Sequence, residues 1–115
     1  MILPNRDQLL FHVTRKKDLP DIQANGLKPK IGPRSQDAGE TEPKIYLFRH
    51  RTDMEDAVVN WLGDLFDDDE PIISLEIQMP AGFTKYLAFD IQTPYEVTYD
   101  RDFPANWIKD IIDLQ

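Results

Sequence analysis

His12, Tyr46 and Glu96 are the residues of this chain whose side-chain types could do chemistry together. An imidazole can hydrogen-bond or exchange a proton near neutral pH. A phenol ring can stack on a flat ligand while its hydroxyl finds a polar partner. A carboxylate can act as a general base or stabilise a developing positive charge. Each sits in a short apolar stretch: Phe11-His12-Val13-Thr14, Ile45-Tyr46-Leu47-Phe48 and Tyr95-Glu96-Val97-Thr98-Tyr99. Taken singly, each also has an ordinary structural role. The histidine can be a satisfied core or edge residue, the tyrosine can tie its hydroxyl to backbone, and the glutamate can face solvent.

Other chemistries are excluded or disfavoured. With no cysteine, thiolate nucleophiles, disulfides and cysteine-based zinc sites are ruled out. The acidic run Asp67-Asp68-Asp69-Glu70 lacks the twelve-residue alternation and central glycine of an EF-hand loop, and reads as a solvated turn. No metal is expected.

Short strands must hold the three residues. Residues 9–14 read as a strand. Asp18 with Pro20 opens a helix of about two turns. Leu19 and Ile22 share one of its faces, and Gly26 ends it at C′. Residues 28–43 carry three Pro and two Gly and read as a long loop, a length that is usually functional or disordered. Residues 45–48 form a second strand. Thr52 and Glu55 match a capping box. Met54, Ala57, Val58, Trp61, Leu62, Leu65 and Phe66 form one stripe, which predicts a helix over 53–66. Ile73, Leu75, Ile77 and Met79 alternate with polar residues as a half-buried strand. Pro80-Ala81-Gly82 is a turn, and residues 85–90 form a short strand or a turn of helix. In the next strand Tyr95, Val97 and Tyr99 take one face and Glu96 and Thr98 the other. Residues 107–114 form the last strand. The order predicts one α+β domain over 1–115 with an antiparallel-leaning sheet.

The 115-residue chain is long enough for one core. No apolar run spans a membrane, and MILPNRDQLL does not read as a signal peptide. The absence of cysteine fits a reducing cytosol. The net charge is −8, unevenly spread: residues 1–52 hold 10 Lys/Arg against 6 Asp/Glu, and residues 53–115 hold 3 against 15. Such a balance disfavours general nucleic-acid binding, which rests on neutralising phosphates. It leaves the basic half able to hold a small anion.

In combination the three stretches resemble the three motifs of the ADP-ribosyltransferase superfamily, across about residues 9–112. "LFHVT…LPDIQANGLKP" looks like its first motif, which is also similar to that of DNA-targeting ADP-ribosyltransferase toxins and RNA 2′-phosphotransferases. "KIYLF…DAVVNW" resembles the second, and "YEVTYDRDFPANWIKDI" the third. The His, Tyr, Glu order is that of the diphtheria-toxin-like and poly-ADP-ribose polymerase-like branch.

The resemblance implies a fold of split antiparallel β-sheets with a few short helices, binding NAD in a cleft between two small sheets. His12, helped by Thr14, would hydrogen-bond a ribose. Backbone near Val13 or Gly26 would hold the nicotinamide carboxamide, and Tyr46 would stack on the nicotinamide ring. Glu96 would bond the 2′-hydroxyl of the nicotinamide ribose and stabilise charge at the anomeric carbon. Arg15, Lys28, Lys30 or Arg34 would meet the pyrophosphate, Arg34 from the long loop.

On this reading the protein is a small cytoplasmic transferase, a monomer, in the manner of a toxin or a bacterial or phage effector. It moves ADP-ribose from NAD to a protein or nucleic acid acceptor, with no metal and no membrane. The first motif reads FHVT where the family has YHGT. Pro94 stands two before Glu96, where the arginine-directed branch carries a second acid. Two other readings compete: a non-catalytic nucleotide-binding relative, and an acidic partner-binding protein that mimics nucleic acid. The enzyme reading asks for His12, Tyr46 and Glu96 in one cleft; the mimic asks for the acids on one face.

Overall fold

A computed structural model describes residues 6–29, 42–66, 69–89 and 95–114. Six strands form one antiparallel sheet: β1 (Gln8–Arg15), β2 (Ile45–Phe48), β3 (Ile72–Met79), β4 (Ala88–Phe89), β5 (Glu96–Tyr99) and β6 (Ile108–Asp113). Their spatial order is β4-β5-β2-β1-β3-β6. Two helices, α1 (Leu19–Asn25) and α2 (Arg51–Asn60), and several 3-10 turns complete an α+β fold. Arg34 and Lys30, Pro94, and Asp67 with Asp68 lie outside the described residues.

Period-2 alternation divides the side chains between two covered faces. Leu10, Leu47, Leu75 and Val97 share one with Ile22 of α1 and with Phe103 and Trp107. Phe11, Val13, Phe48 and Ile72 share the other with Met54 and Ala57 of α2 and with Leu62 and Phe66. On the first side the rings run on from one to the next: Tyr99 to Phe103 at 4.7 Å, Phe103 to Trp107 at 5.1 Å, and Trp107 to Phe83 at 4.8 Å.

The helix predicted over 53–66 is shorter and starts earlier. It runs Arg51–Asn60, and Leu62–Leu65 is a 3-10 turn. Its N-cap is His50 and Thr52 makes no cap; Glu55 faces Arg51 instead, at 3.8 Å. The chain leaves the helix at Trp61, whose φ is −154°. Gly63 then folds back so tightly that a Cβ there would stand 2.5 Å from the Val58 carbonyl oxygen. The apolar stripe survives this break. Met54, Ala57, Leu62 and Phe66 are buried, with Val58, Trp61 and Leu65 packed against them.

The strand expected to be half-buried keeps that alternation at its end, where Glu76 is half-buried and Gln78 exposed, but its first half, Ile72–Leu75, is buried on both faces. Ser74 of β3 is as fully buried as its apolar neighbours. Among the described residues its Oγ has no hydrogen-bond partner. A buried hydroxyl without a partner costs about 1–3 kcal/mol of desolvation. Ser74→Ala is therefore expected to raise stability by about 1 kcal/mol, read as a higher urea midpoint at unchanged slope.

Glu70 belongs to a clamp and not to a solvated turn. It accepts from Arg15 Nε at 2.8 Å and pairs with Lys17 Nζ at 3.2 Å, tying the end of β1 to the approach of β3. Arg15 also lies over the Phe66 ring, 5.3 Å from its centroid. Burial alone raises the Glu70 pKa, but the hydrogen bonds and charges of Arg15 and Lys17 outweigh it and the net shift is downward. A carboxylate lowered in the folded state stabilises above its unfolded pKa, and the contribution is lost as pH falls through the folded value. Wild type is expected to exceed Glu70→Gln in thermal stability near neutral pH. The gap closes as pH falls through the ordinary carboxylate range, about 4, and below.

Candidate functional site

β1 pairs with β3 along all its residues, Gln8↔Met79 through Arg15↔Ile72. β2 likewise pairs with β5 from Ile45↔Tyr99 to Phe48↔Glu96. Between β1 and β2 there is a single register pair, Phe11↔Phe48. The six strands stay one sheet, and the β1–β2 seam is its shortest join in register.

His12 sits at this seam. Its Nδ1 is 2.8 Å from the Tyr46 carbonyl oxygen. A carbonyl only accepts, so Nδ1 donates. In the neutral ring Nε2 is then an acceptor. In a closed ladder that carbonyl, directed toward β1, would meet a main-chain N–H. The imidazole occupies the position where the ladder opens.

Tyr46 and Glu96 come together on the α2 side of the seam. Tyr46 faces Thr98 across the β2–β5 ladder, and Phe48 faces Glu96. Tyr46 and Glu96 are therefore diagonal neighbours, about 7–8 Å apart between backbones and within reach of a long or aromatic side chain. Glu96 is only 3% exposed. Tyr95 departs from the expected alternation: it leaves Val97 and Tyr99 and packs on the α2 side. There its ring is stacked on Phe48 at 6.3 Å and 11°, and tilted against Trp61 at 6.4 Å. Tyr95 precedes the ladder, so the pleat does not bind it.

The three residues are not gathered on one surface. His12 pairs with Leu75, which places its side chain on the α1 face, with Thr14 two residues on. Tyr46 and Glu96 project from the opposite face. The His12 imidazole meets Tyr46 at its main-chain carbonyl.

The other expected site residues are placed as follows. Val13 is paired with Ser74, with its side chain in the α2-side core. Thr14 is buried beside the seam. Gly26 gives its N–H to the Ile22 carbonyl at 2.8 Å, closing α1. Of the cations expected at a pyrophosphate, Arg15 is held by Glu70, and Lys28 pairs with Asp102 at 3.2 Å. Among the described residues no group of three or more His, Asp or Glu is placed to hold a metal. Nor is any helix there long and apolar enough to cross a membrane.

Two features escaped sequence reading. The Arg15–Glu70–Lys17 clamp joins residues 55 apart, and nothing local signals it. The row Phe83, Tyr86, Phe89 was visible as a three-residue spacing, but its exposure was not. Among the described residues the acids are spread over several elements: Glu55 and Asp56 lie on α2, Asp100 and Asp102 follow β5, and Asp110 and Asp113 lie on β6 at the far edge.

No family model matches the chain, and no curated protein matches it.

Proposed function

We propose that the protein is an ADP-ribosyltransferase-like enzyme that holds NAD along the β1–β2 seam and transfers its ADP-ribose to a macromolecular acceptor. One observation supports this reading: β1 and β2 share a single register pair, Phe11↔Phe48, and the motif resemblance asks for an NAD cleft between two small sheets. His12, Tyr46 and Glu96 lie on the three consecutive strands at that seam. Because His12 and Glu96 leave the sheet on opposite faces, a ligand touching both must lie edge-on in the seam.

In this reading a ribose hydroxyl donates to His12 Nε2, with Thr14 alongside. Tyr46 supplies an aromatic surface for the nicotinamide. As the bond between nicotinamide and C1′ breaks, its electron pair leaves with nicotinamide and positive charge grows on the ribose. The Glu96 carboxylate then binds the 2′-hydroxyl more strongly and stabilises that charge. An acceptor oxygen or nitrogen attacks C1′ and passes its proton to the Glu96 carboxylate as general base.

The burial of Glu96 and its separation by face from His12 favour a second reading: a relative that binds the nucleotide without turnover. NAD titration followed by a nicotinamide-release assay separates the two. Release that depends on Glu96 supports the transferase. Saturable binding without release, with or without a protein or nucleic acid acceptor mixture, supports the second reading. No binding at about millimolar NAD, a free energy near −4 kcal/mol, overturns both.

A further inference from the structure

Phe83, Tyr86 and Phe89 follow one another at three-residue spacing. Phe83 and Tyr86 belong to the 3-10 turn Ala81–Tyr86, in which side chains at i and i+3 eclipse. Phe89 ends β4, the edge strand beside β5. The three are 41%, 36% and 54% exposed, and they make up three of the five large apolar side chains exposed among the described residues.

Cations lie against two of these rings, Tyr86 and Phe89. The Arg101 guanidinium carbon is 3.8 Å from the Tyr86 ring centroid, and Lys85 Nζ is 5.3 Å from the same ring. The Arg49 guanidinium is 5.7 Å from the Phe89 ring centroid. Residues 53–115 contain only 3 Lys/Arg against 15 Asp/Glu. Two of those three, Lys85 and Arg101, stand at Tyr86. In the acidic half of the chain, positive charge is concentrated on the exposed aromatic row.

We propose that this ledge docks an extended acidic segment of a partner protein, alternating carboxylate and apolar side chains, laid beside β4 as a further strand. An edge strand offers main-chain donors and acceptors to an added strand, and its alternate side chains give specificity. A guanidinium held flat against a ring keeps its edge N–H groups aimed outward, the geometry that binds a carboxylate through two bonds. Tyrosine and arginine dominate binding energy at protein interfaces. Arg101 pairs with Asp100 at 3.6 Å, but both side chains are exposed. Such a pair is weak enough to be exchanged for an incoming acid. A single-stranded nucleic acid offers comparable chemistry through stacked bases and phosphates. A single strand of nucleic acid has no main-chain amides to pair with the β4 edge, so the protein segment is favoured.

The test is fluorescence anisotropy with a labelled eight-residue peptide of alternating Glu and Val. Saturable binding is expected, weakening as salt rises from about 50 to about 300 mM, because exposed charge pairs are screened. Arg101→Glu and Tyr86→Ala should each weaken it by about tenfold or more, the loss of one strong interface contact. Both side chains lie at the surface, so melting temperatures should stay near wild type. Arg101→Glu, which changes charge and keeps the ring, stands alone should Tyr86→Ala lose its fold. The proposal is overturned by absence of saturable binding at millimolar peptide or by equal binding of a Lys–Val peptide. Wild-type affinity in Arg101→Glu, or tighter binding of oligo-dT, overturns it too. So does self-association on sedimentation that the same substitutions abolish, since the occupant is then a second copy.

Discussion

Gly26→Ala is expected to lower folding stability by about 3–5 kcal/mol, a loss of roughly 10–20 °C in melting temperature for a domain of this size. Gly26 has φ +79° and ψ −179°, a region that only glycine occupies without strain of about 1–3 kcal/mol. The space is closed as well: a Cβ would stand 2.1 Å from the Phe103 carbonyl oxygen. That oxygen accepts from Leu27 N–H at 2.9 Å, and Phe103 N–H donates to the Leu27 carbonyl at 2.7 Å. The two bonds anchor the end of α1 to the segment before β6, with Ile22, Leu27 and Phe103 buried in one cluster. Backbone cannot move aside as a flexible side chain would, so the alanine must break this bridge or push α1 off the sheet. The further cost is of the order of core overpacking, about 1–3 kcal/mol. Gly82→Ala is the control, because a methyl group added there would meet nothing within 4 Å and stability should shift by less than about 1 kcal/mol. The comparison is made by urea unfolding of both variants beside wild type. A Gly26→Ala protein within about 1 kcal/mol of wild type would show that the bridge is not what holds α1.

Much of this fold was legible where local pattern and tertiary demand agree. Residues 9–14 and 45–48 read as strands because they are short apolar runs, Ile73 to Met79 because it alternates, and all three lie in the sheet. The stop at Gly26 was readable because a positive φ selects glycine. The stripe from Met54 to Phe66 was readable as a buried face, yet not as two pieces. Its break depends on Gly63 packing under the Val58 carbonyl, a contact that periodicity does not register. The depth of Ser74 and Glu96 was hidden for a related reason. Alternation says which face a residue takes, not whether anything covers that face, and both side chains are buried. The seam is the least legible feature. That β1 and β2 part after one pair is a matter of register between strands joined by a long connection, and no short motif encodes it. The candidate residues could thus be named from the sequence, but their separation onto two faces could not.

That separation sets the terms for Glu96→Gln, in which the transferase reading predicts a loss of nicotinamide release of about 10²–10³-fold. Removing one pre-organised electrostatic group from a water-poor site raises a barrier by about 3–4 kcal/mol. Glutamine keeps the volume beside Phe48 and a hydrogen-bonding end. It cannot carry the charge that strengthens against a ribose cation. The loss should therefore fall on kcat, with KM for NAD within a few-fold of wild type, the signature of an interaction made in the transition state. A purely structural Glu96 behaves otherwise. A buried carboxylate exchanged for an amide then changes the unfolding free energy by about 1–3 kcal/mol and leaves any release rate unchanged. His12→Gln supplies the other half of the argument, because it acts from the opposite face through the Tyr46 carbonyl. If NAD lies edge-on in the seam, His12→Gln weakens NAD binding and Glu96→Gln slows release. If the two faces work independently, losing His12 leaves NAD binding intact, and the seam is then a joint within the sheet with no ligand in it.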